Sequence, residues 1–139
     1  MSGLTQLDFV RAAYWIGAFV DIGAAVQLLL PTGTTLLGFP GLRAPGAAGQ
    51  PAIVAATLML GWAVLLIWAH LRTRERRGVL AITLVLVVGL AAGNIVLAAS
   101  GAIAWSQLAP TLVIQAVLVA LFGYSFAIAR AAAIERGVA

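Results

Sequence analysis

Asp21 is the residue of this sequence most able to do chemistry, because it is an acid placed inside a long apolar run. The run extends from about Ala12 to Leu30. With a helical rise of about 1.5 Å per residue, Asp21 lies about 14 Å from the start of the run, near the middle of a bilayer core roughly 30 Å thick. An ionised, unpaired carboxylate at that depth costs several kcal/mol. We therefore expect the carboxyl group to be protonated or hydrogen-bonded, and to face protein or water.

Three roles are open for Asp21. Its role is structural if it forms a hydrogen bond between helices, for example with the indole N–H of Trp62, which lies at a similar depth. Its role is functional if it couples the movement of a proton or cation, or if it contacts a partner, since acids inside membranes are commonly functional. The structural role is the simplest of the three.

Four further polar residues fall at one depth, one in each apolar run. The helical rise places them about 20 Å from the face on which the chain ends lie. They are Gln27, Thr57, Asn94 and Gln115. Side-chain amides form hydrogen bonds across helices in lipid, each contributing about 0.6 kcal/mol on average. The layer predicts contacts that hold helices together or, alternatively, the lining of a wet cavity.

Small residues indicate where helix backbones approach one another. Gly89 and Gly93 form a GxxxG pattern, and Gly17 lies on the same stripe of the first run as Asp21. Such patterns predict close packing of helices. The partner of the GxxxG face is either another helix of the same chain or a second copy of the chain.

The sequence lacks the residues that many catalytic and metal sites need. It has no cysteine, which excludes thiolate nucleophiles, disulfides and zinc or iron–sulfur sites. The single histidine, His70, stands beside Trp68 and cannot alone supply the imidazoles of a copper, di-iron or bis-histidine haem site. Gly-rich phosphate loops and paired carboxylates are also missing. We therefore predict no catalytic residue, no metal and no cofactor, and interpret His70 as an interfacial side chain.

The elements that position these residues must be membrane-spanning helices. The chain has 139 residues, of which 63% are hydrophobic and 9% are charged, whereas soluble domains carry roughly 25% charged residues. A span needs about 20 apolar residues, so four spans fill most of the length. The sequence predicts an all-α polytopic membrane protein, a four-transmembrane-helix bundle forming a single membrane domain over residues 1–139.

The predicted spans lie at about 12–30, 52–71, 78–99 and 110–130. The first span is longer than the apolar core of a signal peptide and carries an acid, so we expect it to be retained. Residues 31–51 are rich in proline and glycine, which predicts a long loop without regular structure. Pro110 suits the first turn of the last span, and no span is predicted to contain an internal proline.

The arginines predict the orientation in the membrane. Only Arg43 falls on one side of the four-span topology, and seven arginines fall on the other: Arg11, Arg72, Arg74, Arg76, Arg77, Arg130 and Arg136. Because positive charge accumulates on the cytoplasmic side, we expect both termini and the Arg72–Arg77 turn in the cytoplasm. These arginines flank apolar runs, which predicts binding to lipid head groups and no binding of nucleic acid.

Four stretches carry a resemblance to known sequences: DIGAAVQLLLP in the first span, LMLGWAVLLIWA in the second, RERRGVL before the third and IQAVLVALFGYSF in the fourth. Through them the chain resembles a group of small prokaryotic four-helix membrane proteins of unknown function. The resemblance implies a four-span protein of the prokaryotic cytoplasmic (inner) membrane, and no activity. The chain is also similar to small multidrug resistance transporters, which have four spans and an essential acid in the first. That acid is a glutamate, and Asp21 holds a similar place here.

The sequence favours a non-enzymatic integral membrane protein that forms a homo-oligomer or serves as an accessory subunit of a larger membrane complex. The first alternative is a small proton-coupled transporter that uses Asp21. The second is a binder of lipid or another hydrophobic ligand, with a pocket beneath residues 31–51.

Overall fold

The computed structural model describes residues 3–36, 39–73 and 75–134, and most of these residues are helical. The long helices are α1 (Gly3–Leu29), α2 (Gln50–His70), α3 (Gly78–Ala99) and α4 (Trp105–Ile134). All four are long and apolar enough to cross a membrane. The predicted all-α class with four membrane-spanning helices is therefore confirmed.

The helices extend beyond the predicted spans at some ends and match them at others. α3 has the predicted bounds, and α2 differs by one or two residues. α1 begins at Gly3, well before the predicted start near residue 12, because a helix continues through polar residues once it has left the apolar core. The exposed side chains of Asp8 and Arg11 lie one turn apart on this extension, with 3.7 Å between carboxylate and guanidinium.

The helix that contains the last predicted span begins before Pro110. α4 begins at Trp105, so Pro110 lies inside the helix, and the expectation that no span contains an internal proline is wrong. Proline removes one backbone N–H donor and so costs one helical hydrogen bond. That loss falls in the second turn, close to the helix end, and α4 continues through it as one helix.

The loop between α1 and α2 contains short regular elements, contrary to the expectation that none would form. β1 (Thr35–Leu36) pairs antiparallel with β2 (Phe39–Pro40), and a 3₁₀ helix covers Gly46–Gly49. The strands have two residues each, so a chain rich in proline and glycine accommodates them without a long ladder of hydrogen bonds.

A tight turn joins α3 to α4, and the two helices pack along one another. Gly101 adopts a positive φ of 75°, a conformation that glycine adopts without strain. Its N–H donates to the Ala98 carbonyl and the Ala102 N–H donates to the Leu97 carbonyl, both at 3.1 Å. This pair of hydrogen bonds is the Schellman arrangement, which satisfies the last carbonyls of a helix.

The chain divides into two compact units. One holds the described residues up to Ala13 together with those from Arg72 onward, and the other holds Tyr14–Leu71. In the first unit Phe122, Leu80 and Val10 are almost fully buried, and Phe9 meets Tyr124 edge to face with ring centroids 5.2 Å apart. The second unit contains most of α1, the loop and α2. Its fully buried side chains include Tyr14, Leu66 and several alanines.

Candidate functional site

The structure places Asp21 in the C-terminal third of α1, where its side chain is half-buried. No hydrogen bond or ion pair to its carboxyl group is found among the described residues, so the hydrogen bond suggested with Trp62 is not found there. Trp62 lies half-buried in α2. The carboxyl group of Asp21 thus stands in a membrane-spanning helix without an observed protein partner.

The structure joins two of the four residues of the polar layer. The Asn94 Nδ2 donates to Gln115 Oε1 at 3.2 Å, which links α3 to α4 in the first unit. Gln115 is buried, and Asn94 is half-buried. A hydrogen bond between amides at this depth holds two helices in register.

The other two polar residues of the layer lie in the second unit. The Thr57 hydroxyl is exposed and donates to the Ile53 carbonyl of its own helix at 2.9 Å. The Gln27 side chain is half-buried, and its amide has no hydrogen bond among the described residues. A hydrogen bond from a side chain to the backbone of its own helix lowers the free-energy cost of the polar group in lipid. It does not join two helices.

The predicted packing glycines differ in their surroundings. Gly17 is buried, whereas Gly89 and Gly93 are exposed. A Cβ added at Gly89 or Gly93 meets no atom of the chain within 4 Å. Within the unit that contains α3, the GxxxG face therefore contacts no other described part of the chain at those positions.

His70 lies at the end of α2, as predicted, and packs edge to face against Trp15 of α1 with ring centroids 5.5 Å apart. Trp15 also contacts Phe19, at a centroid distance of 5.8 Å. The sequence does not reveal this aromatic cluster, because Trp15 and His70 are far apart in the chain. Among the described residues no group of three or more His, Cys, Asp or Glu side chains could hold a metal ion.

The arginine turn is only partly described. Arg72 and Glu75 form an exposed ion pair with an N···O distance of 3.3 Å, and Arg76 and Arg77 are half-buried. Arg74 and Arg136, which contribute to the predicted charge asymmetry, lie outside the described residues. An exposed ion pair of this kind contributes at most about 1 kcal/mol to stability.

Ser125 is a polar residue that the sequence analysis missed. It is fully buried, and its hydroxyl has no hydrogen-bond partner in the described part of the chain. The spacing of Gln115, Leu118, Phe122 and Ser125 follows one helical face, and all four are buried. This spacing was the available signal, since such a stripe marks the packed side of a helix.

Comparisons with known proteins add no assignment to these observations. No protein-family model, no curated protein and no solved structure matches the chain. The resemblance to small prokaryotic four-helix membrane proteins therefore stays a prediction, and any function must be argued from the residues described above.

Proposed function

We propose that this chain is a non-enzymatic integral membrane protein that self-associates through the face of α3 that carries Gly89 and Gly93. The observation that carries the proposal is the open space at both glycines, which no other described part of the chain fills. Close approach of a second helix is the use that a GxxxG pattern commonly serves in membranes.

The position of the two glycines on α3 supports this proposal. At about 100° per residue, Gly89 and Gly93 lie on the side of the helix opposite to the buried Leu80 and Val87. The side that packs within the unit is therefore used already, and the glycine side is free for another helix. Val85 is 70% exposed on that free side.

The physical reason for pairing is the shape of this face. Two glycines one turn apart leave a groove beside the larger exposed side chain of Val85. Helices in lipid associate through van der Waals packing rather than through loss of water, and a groove lets two backbones come close. A second copy offers the same groove, so a symmetric pair is self-complementary.

Substitution of Gly89 and Gly93 by leucine should separate the copies. A bulky side chain in a packed interface costs about 1–3 kcal/mol, which weakens association roughly 5- to 150-fold. Energy transfer between donor- and acceptor-labelled copies in vesicles, diluted with increasing lipid, measures the change. The dyes attach to a cysteine introduced at Glu75, because the natural chain has no cysteine.

Gly61→Leu is the matched control for that experiment. Gly61 is also an exposed helical glycine with no atom within 4 Å of an added Cβ, but it lies on α2. For each glycine replaced, the substitution brings the same gain in helix propensity and the same added side chain. Energy transfer should persist in this variant. Equal loss in both variants, or a wild-type chain without concentration-dependent transfer, would refute the proposed interface.

We further propose that the protein resides in a prokaryotic cytoplasmic membrane with both termini in the cytoplasm. The seven-to-one arginine count supports this orientation. Glu75→Cys and Ala47→Cys should be labelled from opposite sides of the membrane, with only Ala47→Cys reacting with an impermeant reagent added to intact cells. Both positions are exposed, so neither is shielded by the protein. Labelling of both from outside would contradict the orientation.

A second candidate function is proton or cation coupling at Asp21. The favouring observation is the half-buried carboxyl group without a partner among the described residues. A substrate-dependent proton flux that Asp21→Asn removes in proteoliposomes is the result that this candidate requires.

A further inference from the structure

The end of α1 is closed by a folded loop, here called the cap loop, consisting of residues 30–36 and 39–43. The Leu42 N–H donates to the Gln27 carbonyl at 2.7 Å, and the Arg43 N–H donates to the Leu30 carbonyl at 2.9 Å. The Thr32 N–H in turn donates to the Arg43 carbonyl at 3.0 Å. These bonds satisfy carbonyls at the end of the helix and fix the loop at the level where α1 leaves the apolar core.

The cap loop exposes leucines beside the apolar surface of the helix end. Leu36 is 49% exposed and Leu42 is 54% exposed, and Leu29, the last residue of α1, is exposed as well. Exposure of such side chains to water is unfavourable, because apolar surface is more stable away from water. The hydrogen bond from the Leu42 N–H to the Gln27 carbonyl places Leu42 beside the last turn of the apolar helix α1.

Arg43 gives the cap loop a positive charge. It is the only charged residue between Asp21 and Arg72. Its Cγ lies so close to Gly49 that an added Cβ there would be 3.0 Å away, so the stem of the side chain rests on the glycine. No ion pair or hydrogen bond to the guanidinium group is found among the described residues, which leaves its donors available to an anion.

We infer that the cap loop lies in the head-group region of the bilayer and binds an anionic phospholipid, with Leu36 and Leu42 among the first carbons of the acyl chains and Arg43 on the phosphate. Charge complementarity selects the occupant, because the guanidinium group forms paired hydrogen bonds with phosphate oxygens. The leucines select a lipid over a free phosphate ion, since only the lipid brings apolar chains. This site uses other residues than the α3 face proposed for self-association.

A fluorophore on Leu42→Cys tests the inference locally. The vesicles consist of phosphatidylcholine and contain a trace of one nitroxide lipid, which carries the nitroxide near the top of one acyl chain. The nitroxide lipid is either phosphatidylglycerol or phosphatidylcholine. We expect strong quenching by both nitroxide lipids, and a preference for phosphatidylglycerol of about fivefold, which corresponds to ~1 kcal/mol for one basic residue near an anionic lipid. Ala47→Cys, exposed in the neighbouring 3₁₀ helix, is the matched control site, and weaker quenching is expected there.

Variants of Arg43 distinguish the effect of its charge on lipid binding from an effect on the fold of the cap loop. In the Leu42→Cys background, Arg43→Gln should abolish the preference for phosphatidylglycerol and keep quenching by phosphatidylcholine, whereas Arg43→Lys should keep most of the preference. Inorganic phosphate should not reduce quenching of the Leu42→Cys protein that keeps Arg43. Weak quenching at Leu42, an unchanged preference in Arg43→Gln, or competition by inorganic phosphate would each overturn the inference.

Discussion

Gly41→Ala is expected to open the cap loop and to lower the free energy of unfolding by roughly 3 kcal/mol, the upper end of the usual cost of overpacking. A Cβ at this position would collide with the backbone carbonyl oxygens of Pro31 and Leu30. Gly41 is buried, and its N–H donates to the Thr34 carbonyl at 2.8 Å. Backbone atoms on both sides of the contact are held by hydrogen bonds, so the collision cannot be relieved by rotation of a side chain.

Unfolding in mild detergent, followed by circular dichroism, measures this effect. Gly61→Ala provides the control, because the substitution is chemically identical and Gly61 has open space around it. In a helix interior the change from glycine to alanine stabilises by up to ~1 kcal/mol. The two variants should therefore shift stability in opposite directions. Equal stability of both variants would show that the carbonyls of Pro31 and Leu30 move aside easily.

The sequence predicts the helices well because their determinants are local. Twenty or more apolar residues in a row leave a backbone in lipid no alternative to helical hydrogen bonds. The helix ends are less predictable, since a helix also continues through polar residues, as at Gly3, and through a proline near its end, as at Pro110. A proline at the first position of a helix costs no helical hydrogen bond, and a proline in the second turn costs one. This small difference does not fix where the helix begins.

The candidate site is less predictable because depth along a helix does not fix rotation about its axis. Gln27, Thr57, Asn94 and Gln115 share a predicted depth, yet only Asn94 and Gln115 are seen to bond to one another. Thr57 reaches its own backbone instead. The sequence does not mark Gly41 for a similar reason, since its constraint arises from the carbonyls of Leu30 and Pro31, which only the folded loop brings near.

Asp21→Leu is expected to raise the free energy of unfolding, by roughly 2–3 kcal/mol, close to the cost that insertion scales give for an aspartate at the centre of a membrane helix. The sequence alone predicts the opposite sign, because a partner such as Trp62 would lose a hydrogen bond. No such bond to the carboxyl group is found among the described residues, so removal of the carboxyl group removes a cost and leaves no observed partner unsatisfied. Asp21→Asn, which keeps a polar group, should change stability less.

Asp21→Leu and Asp21→Asn also distinguish a carboxyl group that only destabilises the protein from one that serves transport. A carboxyl group used for coupling must exchange its proton for a substrate cation, and its replacement by leucine would stabilise the protein while removing transport. We expect no proton release on addition of candidate cations between about pH 5 and 8, for two reasons. The helices are continuous, and the other acidic residues lie outside the apolar runs, so none is placed to accept the proton. A substrate-dependent proton flux in proteoliposomes of the wild-type protein, absent in Asp21→Asn, would reverse this expectation and make Asp21 the centre of a transporter.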